Sequence, residues 1–152
     1  MMNLQEKTVM YLHNHNVMTL ATHGVEGPWG AAVFYSNEGF TLYFLSAPHT
    51  RHSQNIAQNP AVAITIQEDY KAWAEIKGIQ LEGQAHLLEG KEREQAIERY
   101  SHKFPIIGPD APPQIAKAMN KIGWYKVVPT RLYFIDNSLG LGHRDEIQLQ
   151  QS

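Results

Sequence analysis

The run FTLYFLSAPHTRHSQNIAQNPAVAITI, residues 40–66, decides how this chain is read. Phe40 to Ser46 is rich in aromatic side chains and reads as a strand. Pro48 ends that strand region, and Thr50 stands where a helix wants its N-cap. RHSQNIAQN then sets Ile56 and Ala57 on one side before Asn59-Pro60 stops the helix. Ala61 to Ile66 follows as a largely buried strand. A short helix therefore starts directly after one strand and ends directly before another, with Arg51 and His52 in its first turn.

Upstream, Leu4 to Asn14 spaces Leu4, Val9, Tyr11 and Leu12 as a short amphipathic helix. Val17 to Thr22 reads as a buried strand, HGVEGP as a turn and Trp29 to Ser36 as a second strand. Asn37-Glu38-Gly39 closes a tight hairpin, so the second strand is expected to pair antiparallel with Phe40 to Ser46. Downstream, Ile79, Leu81 and Leu87 alternate with polar residues in a long strand from Ile76 to Leu88, where Gly83 signals a bulge or close backbone approach. Lys91 to Phe104 is an amphipathic helix stopped by Pro105, and a second short helix is expected near Gln114 to Asn120. Gly123 to Val128 and Arg131 to Asp136 read as strands broken by Pro129. NSLGLGHRDE and a polar tail complete one domain spanning residues 1–152. Six or seven strands with short helices between them favour a mainly β architecture, a small antiparallel barrel capped by helices. A Rossmann fold is excluded, because a tight hairpin cannot be a parallel βαβ crossover.

The composition agrees. At 152 residues, 43% hydrophobic and 18% charged, the chain is long enough for one real core and far from the signature of disorder. Cysteine is absent, which removes thiolate nucleophiles, redox pairs and cysteine zinc sites; redox chemistry requires a borrowed cofactor. A net charge of −2 with scattered basic residues is not the footprint of a nucleic-acid binder. No signal sequence and no apolar run of membrane-spanning length is present, so a soluble cytoplasmic protein without a membrane partner is expected.

The candidate site is the start of the helix at Arg51. A helix N-terminus presents unpaired amides and a partial positive charge, which attract a phosphate. Here it adds the hydroxyls of Thr50 and Ser53, the forked donor of Arg51 and the imidazole of His52. Cap chemistry alone also accounts for Thr50. The histidine pairs 13/15 and 49/52 lack a carboxylate or cysteine at ligand spacing, and no metal site is expected. Gly140-Leu141-Gly142 follows a strand without a helix after it, so it fails as a dinucleotide fingerprint and reads as a turn. No paired carboxylates suggest an acid–base catalyst.

Strand and hairpin, GFTLYFLS, HTRH with NIxxNPxVAI behind it, GIQLEGQAHLLEG and DNSLGLG occur in the order that resembles the flavin-binding split β-barrel family of pyridoxamine 5′-phosphate oxidase, especially its short bacterial members. The likeness covers about residues 10–140. It implies an antiparallel, Greek-key split barrel that dimerises and holds FMN between its subunits. By this resemblance Thr50, Arg51 and His52 stand at the family's Ser-Arg-Lys triplet, which holds the FMN phosphate. Leu45 and Ser46, with Ala31, Ala32 and Val33 on the partner strand, would border the isoalloxazine, and Trp124 and Tyr125 would lie near the dimer interface. The second strand WGAAVFYS carries neither the Arg nor the Lys of the oxidase, and no C-terminal Arg-x-His clamp is present. The resemblance therefore implies an FMN-dependent oxidoreductase acting on another small molecule, not pyridoxamine phosphate oxidation. A deazaflavin would offer the same phosphate; a non-catalytic protein carrying haem or a small ligand in the same groove is the alternative.

Overall fold

The computed structural model describes residues 1–149; the end of the polar tail, residues 150–152, lies outside them. Helix α1, Leu4–Asn14, starts with a capping box in which the Asn3 side chain accepts from the Glu6 amide and Glu6 accepts from the Asn3 amide. Strands β1 (Val17–Gly24) and β2 (Gly27–Phe34) form a hairpin around Val25-Glu26, with Gly27 at positive φ. Strands β3 (Ser36–Glu38) and β4 (Thr41–Ser46) form a second, shorter hairpin. Helix α2 (Arg51–Gln58), β5 (Ala61–Gln67), β6 (Lys77–Leu87), helix α3 (Gly90–Lys103), helix α4 (Pro113–Met119), β7 (Gly123–Asp136) and β8 (Arg144–Glu146) follow.

One antiparallel sheet runs β2-β1-β5-β6-β7-β4-β3, with β8 pairing β7. It curls into a split barrel. The expected pairing of Trp29–Ser36 with Phe40–Ser46 is corrected here: β2 pairs with β1, and only the three-residue β3 pairs with β4. The chain leaves one end of the sheet at Phe34 and enters the other end at Ser36, through the single residue Tyr35. That residue is fully buried; its hydroxyl donates to the Leu12 carbonyl at 2.6 Å and its amide to the Asn16 carbonyl at 3.0 Å.

Strands β1 and β5, read as buried, alternate instead. Met18, Leu20, Val62, Ile64 and Ile66 point into the barrel, where they meet Leu42 and Phe44 of β4, Ile79 and Leu81 of β6, and Val127, Leu132 and Phe134 of β7. Their neighbours Val17, Thr19, Ala21, Ala63 and Thr65 face outward, as period-two strands require. Pro129 does not break the last strand. It sits where β7 slips register against Glu82/Gly83 of β6, and a Cβ on Gly83 would lie 2.5 Å from the Val128 carbonyl oxygen. The bulge expected at Gly83 is present, and it absorbs the proline's missing donor.

A second cluster lies on the outside of β4 and β7 beneath α3: Tyr43, Leu88, Ala96, Tyr100 and Trp124. Trp124 is 1% exposed and packs edge-on to Tyr100, while Tyr125 stacks on Phe44 inside the barrel at 4.9 Å. Both side chains are buried within this chain. No helix among the described residues is long and apolar enough to cross a membrane.

Candidate anion site at the start of helix α2

Ser46 is the last residue of β4 and points inward, sharing a face with Phe44 and Leu42; Leu45 points to the opposite face, where it packs against the cluster under α3. After the turn Ala47-Pro48-His49, Thr50 caps α2, its hydroxyl accepting from the Ser53 amide at 3.2 Å. The helix is fixed against the β1–β2 hairpin along its length. Asn55 donates to the Thr22 hydroxyl at 3.0 Å, and Gln58 accepts from the Val25 amide at 3.2 Å. Gly24 leaves the space that Asn55 fills, since a Cβ there would lie 2.1 Å from Asn55 Oδ1.

Behind the cap lies a closed polar cluster. Ser46 Oγ is 2.6 Å from His52 Nε2, 3.0 Å from Ser53 Oγ and 3.0 Å from Thr50 Oγ1; Thr50 Oγ1 lies 2.9 Å from Ser53 Oγ. His52 is 9% exposed, and burial pulls its imidazole below the ordinary value. A neutral ring with a bare Nε2 accepts from Ser46 and Ser46 accepts from Ser53, while the Thr50 hydroxyl donates to Ser53 or to the Ala47 carbonyl, 3.0 Å away. His52 therefore faces the protein, and its ring braces the cap.

Arg51 faces outward. Its guanidinium lies 4.4 Å from the centre of the Trp29 ring, its terminal nitrogen donates to the Glu26 carbonyl at 3.3 Å, and its Nε is buried without a hydrogen-bond partner. The Glu26 carboxylate is 3.9 Å away and mostly solvated, so it neutralises the guanidinium only weakly. Trp29 reaches this position because it pairs with Thr22 and shares the face of β1 on which α2 rests. Thr50, Arg51 and Trp29 thus form one outward-facing group, in which a cation with a spare donor stands beside the first-turn amides that helix geometry leaves unpaired. This chemistry suits a phosphate. Trp29 entered the sequence reading only as the start of a strand, because its approach to Arg51 depends on the β1–β2 register.

Ala31 and Val33 lie on the inner face of β2, opposite Leu20 and Met18, and Ala32 lies on the outer face opposite Thr19. Ala31 and Ala32 thus lie on opposite faces of this edge strand. Among the described residues no three His, Asp or Glu side chains gather as a metal site. A larger groove of about 1310 Å³ lies elsewhere, between α1, the β3–β4 turn and the bend of β7, lined by Val9, Met10, His13, Phe40, Val128 and Leu149 among others.

The family model of pyridoxamine 5′-phosphate oxidase matches residues 4–136. A UPF0306 protein of Klebsiella pneumoniae is 31% identical over 136 residues, covering 88% of this chain and 86% of that one. Among solved structures, a conserved hypothetical protein of Mycobacterium tuberculosis superposes with a TM-score of 0.73 at 21% identity, covering 100% of this chain and 94% of that one. The haem storage protein HutZ of Vibrio cholerae superposes with a TM-score of 0.71 at 19% identity, covering 86% and 94%. These structural likenesses concern the split-barrel fold.

Proposed function

Because the chain belongs to the pyridoxamine 5′-phosphate oxidase family, we propose that it binds FMN across a homodimer interface and works as an oxidoreductase on a small molecule. The observation that carries this reading is Arg51, whose guanidinium is held on Trp29 with an unsatisfied donor at the start of α2. Bound there, a flavin supplies two-electron transfer between a reduced donor and a small acceptor. The chain supplies the rest. Arg51 and the first-turn amides hold the phosphate, and Thr50, braced by Ser46, Ser53 and His52, fixes where α2 begins. The backbone of Leu45 and Ser46 and the edge strand that carries Ala31, Ala32 and Val33 border the ring. His52 contributes position rather than charge, because its ring is engaged by Ser46.

The second subunit covers the outward face of β2, β1 and β5 in this reading. Val17 and Phe34 there are 45% and 57% exposed, beside Thr19, Ala21, Ala32 and Ala63, an apolar face that a monomer gains by burying. A site completed by a partner also fits the position of α2 away from the groove beside α1.

The test is a titration of the purified protein with FMN, followed by flavin fluorescence, with Arg51→Ala in parallel and sedimentation to read the oligomer. Saturable binding that weakens about tenfold in the variant, roughly 1.4 kcal/mol, is expected. No binding by the wild type sinks the flavin reading. A second reading, haem or another small ligand in the same place, is favoured by the likeness to HutZ; a Soret band on adding haem, insensitive to Arg51→Ala, would select it.

A further inference from the structure

The last turn of α1 is fastened by an unusual set of contacts. Nδ1 of His15 lies 2.7 Å from the Tyr11 carbonyl oxygen, and Nε2 lies 2.9 Å from Oε2 of Glu68, just after β5. The ring stacks on Tyr11 at 3.8 Å. Tyr70 donates to the same Glu68 oxygen at 3.3 Å, and Tyr11 donates to the Lys77 carbonyl at 3.2 Å. The Lys103 ammonium, at the end of α3, donates to the His15 carbonyl, and the Tyr35 hydroxyl donates to that of Leu12. The Lys103 ammonium, the His15 ring and a hydroxyl thus meet the negative end of the helix.

Both acceptors of the His15 ring lack a proton to give. A main-chain carbonyl only accepts, and the hydrogen bond from His15 holds the Glu68 carboxyl below its usual range, as a carboxylate. A neutral imidazole has one N–H and can serve only one of them; the imidazolium serves both. The rest of α1 is lightly held, with only Thr8 and Leu12 buried. Its outer side, including Val9, Met10 and His13, is one wall of the 1310 Å³ groove.

We propose that His15 is a protonation latch for α1: charged, it ties the end of the helix to Glu68, and neutral, it gives up one of its two bonds, so that α1 loosens and the groove widens. The latch closes on acidification and opens as pH rises. The groups that face it are Glu68 and Tyr70 from the β5–β6 connection, Lys103 from α3, Tyr35 from the β2–β3 link and Tyr11 from its own helix, with His13 two residues away on the groove side. Lys103 also titrates, since burial pulls it down to about 8, and the test therefore stays below that value.

The experiment is amide hydrogen exchange on the intact protein between about pH 5.5 and pH 7.2, where an imidazole changes charge, corrected for intrinsic rates. Protection of residues 4–14 is expected to fall about tenfold across this range relative to that of β6, a bond to a charged group being lost. His15→Gln should abolish the pH dependence and Glu68→Gln should shrink it. His13→Gln and Lys103→Arg should keep it. A flat wild-type profile, or a transition that survives in His15→Gln, overturns the latch.

Discussion

Ser46 and His52, six residues apart in the chain, meet at 2.6 Å between Oγ and Nε2, joining the end of β4 to the first turn of α2. The contact is buried and charge-free, so it sets geometry without adding charge. It ties the strand that would border a cofactor ring to the helix that would hold its phosphate.

Removing the serine hydroxyl strands the imidazole. Ser46→Ala is expected to destabilise the fold by about 1–3 kcal/mol, the cost of an unsatisfied buried polar atom, read as a shift in the urea midpoint. Ser46→Thr, which keeps the hydroxyl, should recover part of the loss. Equal midpoints for Ser46→Ala and wild type would show that the contact contributes nothing.

Acid should weaken the protein through His52. Its folded-state value is depressed by burial below the ordinary 6.5, so the unfolded chain takes up the proton first. The stability conferred by the neutral ring is full above pH 6.5 and is lost as pH falls below it, towards the folded value. His52→Gln should therefore show a shallower loss of stability than the wild type between about pH 6.5 and 5.

Lys103 acts on the alkaline side. Its amine is pulled down to about 8 from 10.5, its ammonium resting over the Tyr35 ring at 4.4 Å. The folded state releases the proton before the unfolded chain does, so stability rises as pH climbs past 8. Melting temperatures of wild type and Lys103→Arg, compared between pH 8 and about 9.5 to stay below tyrosine ionisation, should diverge, with only the wild type gaining.

Gly83→Ala forces a Cβ to 2.5 Å from the Val128 carbonyl oxygen and 3.0 Å from the Pro129 Cα. Both are backbone, so neither gives way cheaply. A loss of about 1–3 kcal/mol is expected from this overpacking, measured by urea unfolding; an unchanged midpoint would mean the bulge yields.

Local chemistry was legible from the sequence, and long-range pairing was not. Thr50 announces its helix because capping uses residues three positions apart. Gly83 announces its bulge because no side chain fits against β7. The pairing of Phe40–Ser46 was misread because the tight turn at Gly39 is genuine, yet it joins only Ser36–Glu38 to β4. The true partner of β4 is β7, about eighty positions on, and no local pattern encodes that choice. At the candidate site, Thr50 and Arg51 stand out by spacing alone. The inward turn of His52 and the stacking of Arg51 on Trp29 depend on burial and register, which exist only once the sheet has closed.

Tyr35 gives the barrel a seam one residue wide. Because β2 and β3 belong to opposite ends of the same sheet and alternate faces on either side of it, lengthening or shortening this link by one residue would turn every following side chain of β3 to the wrong face. The exposed tip at Pro109-Asp110, between α3 and α4, can accept a longer loop at little cost. Inserted tags, or the natural gains and losses of residues that accumulate as such chains diverge, will be tolerated at that tip and rejected at the seam.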